Sequence, residues 1–87
     1  MKYNVVWQNK AQEDLLDLPE KTASAIVKKV ESYLSHNPRR IGKALTGQFT
    51  GFYRYRMGDY RIIYEIVEKN ICIYVMRVGH RKSIYDQ

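Results

Sequence analysis

Tyr53-Arg54-Tyr55-Arg56-Met57-Gly58-Asp59-Tyr60-Arg61-Ile62-Ile63-Tyr64 reads as a β-hairpin, and its reading decides the fold. Gly58-Asp59 is a two-residue turn signal, with glycine first as a type II′ turn requires. That turn sets Met57 opposite Tyr60, Arg56 opposite Arg61 and Arg54 opposite Ile63. Side chains alternate between the faces of a strand. Arg54, Arg56 and Arg61 therefore share one face, and Tyr53, Tyr55, Ile62, Tyr64 and Ile66 share the other. The second set is the apolar face that helices should cover. The first is a basic face, on which Arg56 and Arg61 stand directly opposite each other. Like charges so placed destabilise a sheet, and a bound anion would relieve the repulsion.

Downstream, Glu68-Lys69-Asn70 reads as a second turn and residues 71–78 as a third strand. A three-residue turn there sets Arg77 beside Arg61 on the basic face. A two-residue turn would bury that charge on the apolar face, which is costly, so the first register is preferred. After Gly79 the alternation stops and the tail reads as irregular. Upstream, Tyr3, Val5 and Trp7 alternate along a strand over residues 2–8. Asn9 and Gln12 have the spacing of a capping box for a helix to about Leu18, with Ala11, Leu15 and Leu18 on one face. Pro19 breaks that helix and suits the start of the next. Residues 20–36 carry a buried stripe of Ala23, Ile26, Val27, Val30, Tyr33 and Leu34, ended by Asn37-Pro38. Residues 39–51, with Arg39, Arg40 and Lys43 among three glycines, read as a basic loop. The order predicts an α+β two-layer sandwich, with an N-terminal strand and a helical hairpin packed on a small, largely antiparallel sheet (β-α-α-β-β-β).

A chain of 87 residues is expected to form one domain, residues 1–87, with a small core. Its 45% hydrophobic content is too high for a disordered tail. No apolar run approaches the ~20 residues that span a bilayer, and the N-terminus has no signal-peptide character. The expectation is a soluble cytoplasmic protein with no membrane partner. The single cysteine, Cys72, lies in an apolar run and reads as a small hydrophobe rather than a nucleophile. Acids and cysteines do not cluster at metal-ligand spacing, so no metal or cofactor is expected. Residues 1–38 carry five basic and five acidic side chains, whereas residues 39–87 carry ten basic and four acidic, so the whole net charge of +6 lies in the second half. A one-sided positive field of this kind attracts polyanions.

Three motifs, Tyr53-Arg54-Tyr55-Arg56, Gly58-Asp59-Tyr60-Arg61-Ile62-Ile63-Tyr64 and Val78-Gly79-His80-Arg81-Lys82-Ser83-Ile84-Tyr85, follow one another in an order that resembles the RelE family of bacterial and archaeal toxins. The resemblance spans the chain in length and element order, and its specific part is residues 51–85. It implies the toxin of a type II toxin–antitoxin pair. Such a toxin is an endoribonuclease that enters the A site of the 70S ribosome and cuts mRNA without metal. It also implies a cognate antitoxin, expected to be small and acidic, that wraps and blocks the toxin. Promoter DNA would be reached only through that antitoxin.

Carried over by residue, the resemblance makes Arg61 and Arg81 the phosphate-binding and transition-state arginines. Tyr85 becomes the C-terminal tyrosine that stacks on or orients substrate. Arg54 and Arg56 stand where the best-studied branch has two lysines, and His80 where other branches carry His or Lys. Arg77 and Lys82 join Arg54 and Arg56 as substrate-binding candidates. The lysine-to-arginine departure matters. Cleavage needs a base for the 2′-hydroxyl proton and an acid for the 5′-oxygen, and arginine effectively never gives up its proton. Arg54 and Arg56 therefore suit an electrostatic clamp on the phosphorane. Histidine titrates near neutrality, which makes His80 the first candidate for proton transfer, Tyr85 the second and Glu65 the third. His36 reads as a loop residue.

Two other functions compete. The ParE branch shares the fold and inhibits DNA gyrase without catalysis. A simple RNA-binding domain would need exposed aromatics to stack bases, whereas Tyr53 and Tyr55 point toward the helices.

Overall fold

The computed structural model describes residues 2–80. Along the chain it forms β1 (Asn4–Trp7), α1 (Asn9–Leu16), α2 (Glu20–Ser32), a one-turn helix α3 (Pro38–Ile41), β2 (Lys43–Ala44), β3 (Tyr53–Met57), β4 (Tyr60–Val67) and β5 (Cys72–His80). The five strands make one sheet in the order β1-β5-β4-β3-β2. The β1–β5 pair is parallel and the others are antiparallel. The expected α+β sandwich is thus present. No described helix is long and apolar enough to cross a membrane.

The Gly58-Asp59 hairpin has the predicted register: Met57 faces Tyr60, Arg56 faces Arg61 and Arg54 faces Ile63. Gly58 takes the positive φ of 59° that the turn demands. The apolar face of β4 and β5 presents Ile62, Tyr64, Ile73, Val75 and Val78 to Ile26 and Val30 of α2, Leu34 just beyond it and Ala11 of α1. All are essentially fully buried. Tyr64 anchors this core. Its ring stacks on Tyr53 at 5.7 Å between centroids, and its hydroxyl donates to the Pro38 carbonyl at 2.6 Å. Burial pushes the phenol well above its ordinary range. Gly42 makes room for it: a Cβ there would lie 1.7 Å from the Tyr64 hydroxyl oxygen.

Several expectations are corrected. The capping box does not form, because the extended residue at the helix start is Gln8 and Asn9 is already helical. The Gln12 amide instead donates to the Trp7 carbonyl at 2.8 Å. The second helix stops at Ser32, and a 3-10 turn carries Leu34 into the core. Tyr33, at the break, is left 47% exposed rather than in the buried stripe. Its ring lies 6.3 Å from that of Tyr55, with the Lys29 ammonium 4.8 Å from its centroid. The basic loop contains α3 and the short edge strand β2.

The last hairpin differs most. A 3-10 turn at Glu68–Asn70 is followed by Ile71 in the left-handed region at φ 51°. Val67 therefore pairs with Cys72, and a bulge shifts the ladder between Ile63 and Tyr64. Arg77 ends opposite Ile63, not Arg61. It keeps its predicted face because the longer turn and the bulge together move the register by an even step.

Candidate nucleic-acid interface

On the sheet face away from the helical core, the pairing aligns side chains into two transverse rows. One runs Lys43, Arg54, Ile63, Arg77 across β2, β3, β4 and β5. The next runs Arg56, Arg61, Gly79 across β3, β4 and β5. The structure thus brings Arg54, Arg56, Arg61 and Arg77 onto one surface. Arg61 and Ile63, both in the central strand β4, are each only 9% exposed. Arg56 is exposed, and among the described residues its Nε reaches only the Gly58 carbonyl, at a long 3.5 Å. Arg54 is half-buried, and its Nε is buried with no hydrogen-bond partner among the described residues. Among those residues neither Lys43 nor Arg54 makes a salt bridge. Gly79, opposite Arg61, adds no side chain to the second row.

Arg77 has a different environment. Its Nε and Nη2 donate to Asp14 of α1 at 2.9 and 3.2 Å, and the paired carboxylate raises the guanidinium pKa further. The same Asp14 accepts from the Val78 backbone N–H at 2.9 Å. This follows from topology. β1 ends at Trp7, so the upper half of β5 loses its parallel neighbour, and α1 takes that place beside β5. Asp14 satisfies a strand-edge donor and offsets one of the row's three cations at once. Bidentate carboxylate pairing of this kind is geometrically specific.

His80 closes β5 opposite Tyr60, with the rings edge-on at 5.9 Å. Strand alternation puts it on the face of Val78 and Tyr60, not on that of Arg61. The structure therefore does not bring His80 to the arginines. Glu65 is exposed and stands on the arginine face opposite Tyr74. Arg81, Lys82 and Tyr85 lie outside the described residues. Arg39 is remote from the two rows. It is tied to Glu68 at 2.6 Å and to the Tyr53 hydroxyl at 2.7 Å, and Glu68 also accepts from the Tyr3 hydroxyl at 2.6 Å.

Two participants escaped the sequence reading. Lys43 lies in a two-residue strand, too short for alternation to register. Asp14 meets Arg77 from 63 positions away, and no local pattern announces such a pair. Chemically, the face can hold a polyanion and stabilise negative charge developing on it. None of its arginines can act as a base at neutral pH.

The family model described as "ParE toxin of type II toxin-antitoxin system, parDE" matches residues 5–85. The chain is 35% identical to toxin RelG of Mycobacterium tuberculosis over 98% of each chain. It is 36% identical to toxin RelE of the same organism over 95% of this chain and 86% of that one. The crystal structure of the M. tuberculosis toxin–antitoxin complex RelBE2 superposes with a TM-score of 0.89 at 33% identity, covering 93% of each chain.

Proposed function

The chain belongs to the RelE/ParE family of type II toxin–antitoxin toxins, and on that premise we propose that it is a ribosome-dependent endoribonuclease that cuts mRNA in the ribosomal A site and so arrests translation. The opposed Arg56 and Arg61 carry this reading: two cations set against each other on the sheet face away from the helical core, one exposed and one largely buried, suit a phosphate that gains charge in the transition state. Arg61, with Arg81 from the tail, would hold the scissile phosphate. The phosphorane charge would be met by guanidinium groups, without a metal ion. Identity to toxins named RelG and RelE supports this over gyrase inhibition of the ParE kind.

An antitoxin is the natural partner. The M. tuberculosis relative was solved as a toxin–antitoxin complex, and a net charge of +6 complements a small acidic chain.

We further infer that His80 is not the proton-transfer group. Its ring lies across Tyr60 on the helix-side face, away from Arg56 and Arg61. Tyr85 becomes the first candidate for moving a proton. His80→Gln should then keep wild-type single-turnover rates and Tyr85→Phe should lower them; the reverse pattern would restore His80.

The deciding experiment incubates the purified protein with programmed 70S ribosomes, with naked RNA and with DNA gyrase, each in chelator. Cleaved message on ribosomes, with naked RNA nearly intact and gyrase active, is the expected result. Intact message together with inhibited gyrase would replace this reading by the ParE one.

A further inference from the structure

Like charges directly opposite on neighbouring strands cost stability, and the basic face carries two such pairs. Arg56 opposes Arg61, and Lys43 opposes Arg54. The pairs lie in successive rows of the same face, two residues apart along β3. Two residues of strand span about 6.8 Å, a step that matches neighbouring phosphates of an extended single strand. We propose that the face holds two consecutive phosphates of one RNA strand: Arg56 and Arg61 take one, and Lys43 and Arg54 take the next.

The surroundings of the second pair suit an anion. Arg54 Nε is buried without a hydrogen-bond partner among the described residues, a state that costs free energy unless a ligand supplies the acceptor. Ile63 sits beside Arg54 as a nearly buried apolar floor, and low local polarity strengthens a charge-assisted contact. Beyond Ile63 the row ends electrostatically, because Asp14 engages Arg77. The available charge of that row is therefore concentrated at the β2 edge, on Lys43 and Arg54. An RNA backbone would run along β3, from the hairpin turn toward the row of Lys43. Arg54 is thereby moved from the scissile phosphate to its neighbour.

This inference rests on the ribonuclease reading for the identity of the polyanion, but its test does not depend on cleavage. The full chain is titrated at low salt with a short RNA made uncleavable by 2′-O-methylation at each position. One phosphate at a time is replaced by a neutral methylphosphonate. Wild type should lose affinity at two adjacent linkages. Lys43→Ala should abolish the sensitivity at one and keep it at the other, and Arg56→Ala should do the reverse. Each variant should also flatten the log–log salt dependence by about 0.7, the value for one lost contact to a single strand. Both variants silencing the same linkage would overturn the two-phosphate arrangement. An unchanged affinity in Lys43→Ala, or no binding even at low salt, would overturn it too. Failure to cut ribosomal message with the two-linkage pattern intact would sink the nuclease reading alone.

Discussion

The two faces of this sheet are built to opposite rules. On the helix side, Ile62, Tyr64, Ile73, Val75 and Val78 are sealed against α1 and α2, and the Tyr64 hydroxyl has its acceptor. On the other side, cations oppose cations, Arg61 is largely buried and Arg54 Nε is buried without a hydrogen bond among the described residues. Folding alone explains the first face. The second opposes folding at each like-charge pair, which is the expected cost of a surface shaped for a charged ligand. Arg77 and Arg39 each have a carboxylate partner, whereas Arg54 Nε has no hydrogen-bond partner among the described residues.

Adjacent residues give the sharpest way to break the contrast, because Arg61 and Ile62 point to opposite faces. Ile62→Ala should cost about 2–5 kcal/mol of stability, read by denaturant unfolding. Arg61→Ala should lower ribosomal cleavage about 100–1000-fold with a smaller change in stability. Equal destabilisation by both, with cleavage intact in Arg61→Ala, would erase the division of labour. Next in size is Gly42→Ala, whose Cβ collides with the Tyr64 hydroxyl. Losing the buried bond to Pro38 should cost about 1–3 kcal/mol. Adding Tyr64→Phe should give less than the sum of the two single effects, since both act on one contact.

A smaller effect of opposite sign is expected at Arg56. Arg56→Gln removes one member of a like-charge pair and should raise stability, toward the low end of ~0.2–1 kcal/mol, because the side chain is exposed and screened. It should weaken cleavage at the same time, and a variant that loses both stability and activity would contradict the contrast. The smallest effect concerns Glu68. Hydrogen bonds from Tyr3 and Arg39 hold its carboxyl below the ordinary range. A lowered folded-state pKa means fewer protons bound when folded. Its contribution is therefore present above the ordinary carboxylate value of about 4.3 and is lost as pH falls through the folded one. Glu68→Gln should flatten the acid limb of the stability profile, without altering cleavage near neutrality.

The hairpin from Tyr53 to Tyr64 was legible because strict alternation and a glycine-led turn are local signals. They located Arg54, Arg56 and Arg61 on one face with the right register. What failed was non-local or very short. The bulge at Ile63 and the left-handed Ile71 arise where β5 must satisfy β4 and β1 together, so Arg77 shifted along its strand while keeping its face. Lys43 is set on the arginine face by its pairing with Arg54 of a partner strand. That β5 runs on to His80 and pairs it with Tyr60 depended on where the ladder ended, which the motif around it did not announce.

The position of β5 has a consequence for how the chain comes into being. Asn4 pairs with Cys72, so the first strand waits for the last. Ile73, Val75 and Val78, all from β5, complete the core. Such long-range pairing makes folding slow and leaves little that can fold while the chain is still being synthesised. The full arginine rows, and Asp14's hold on Arg77, therefore form only once β5 is available to pair.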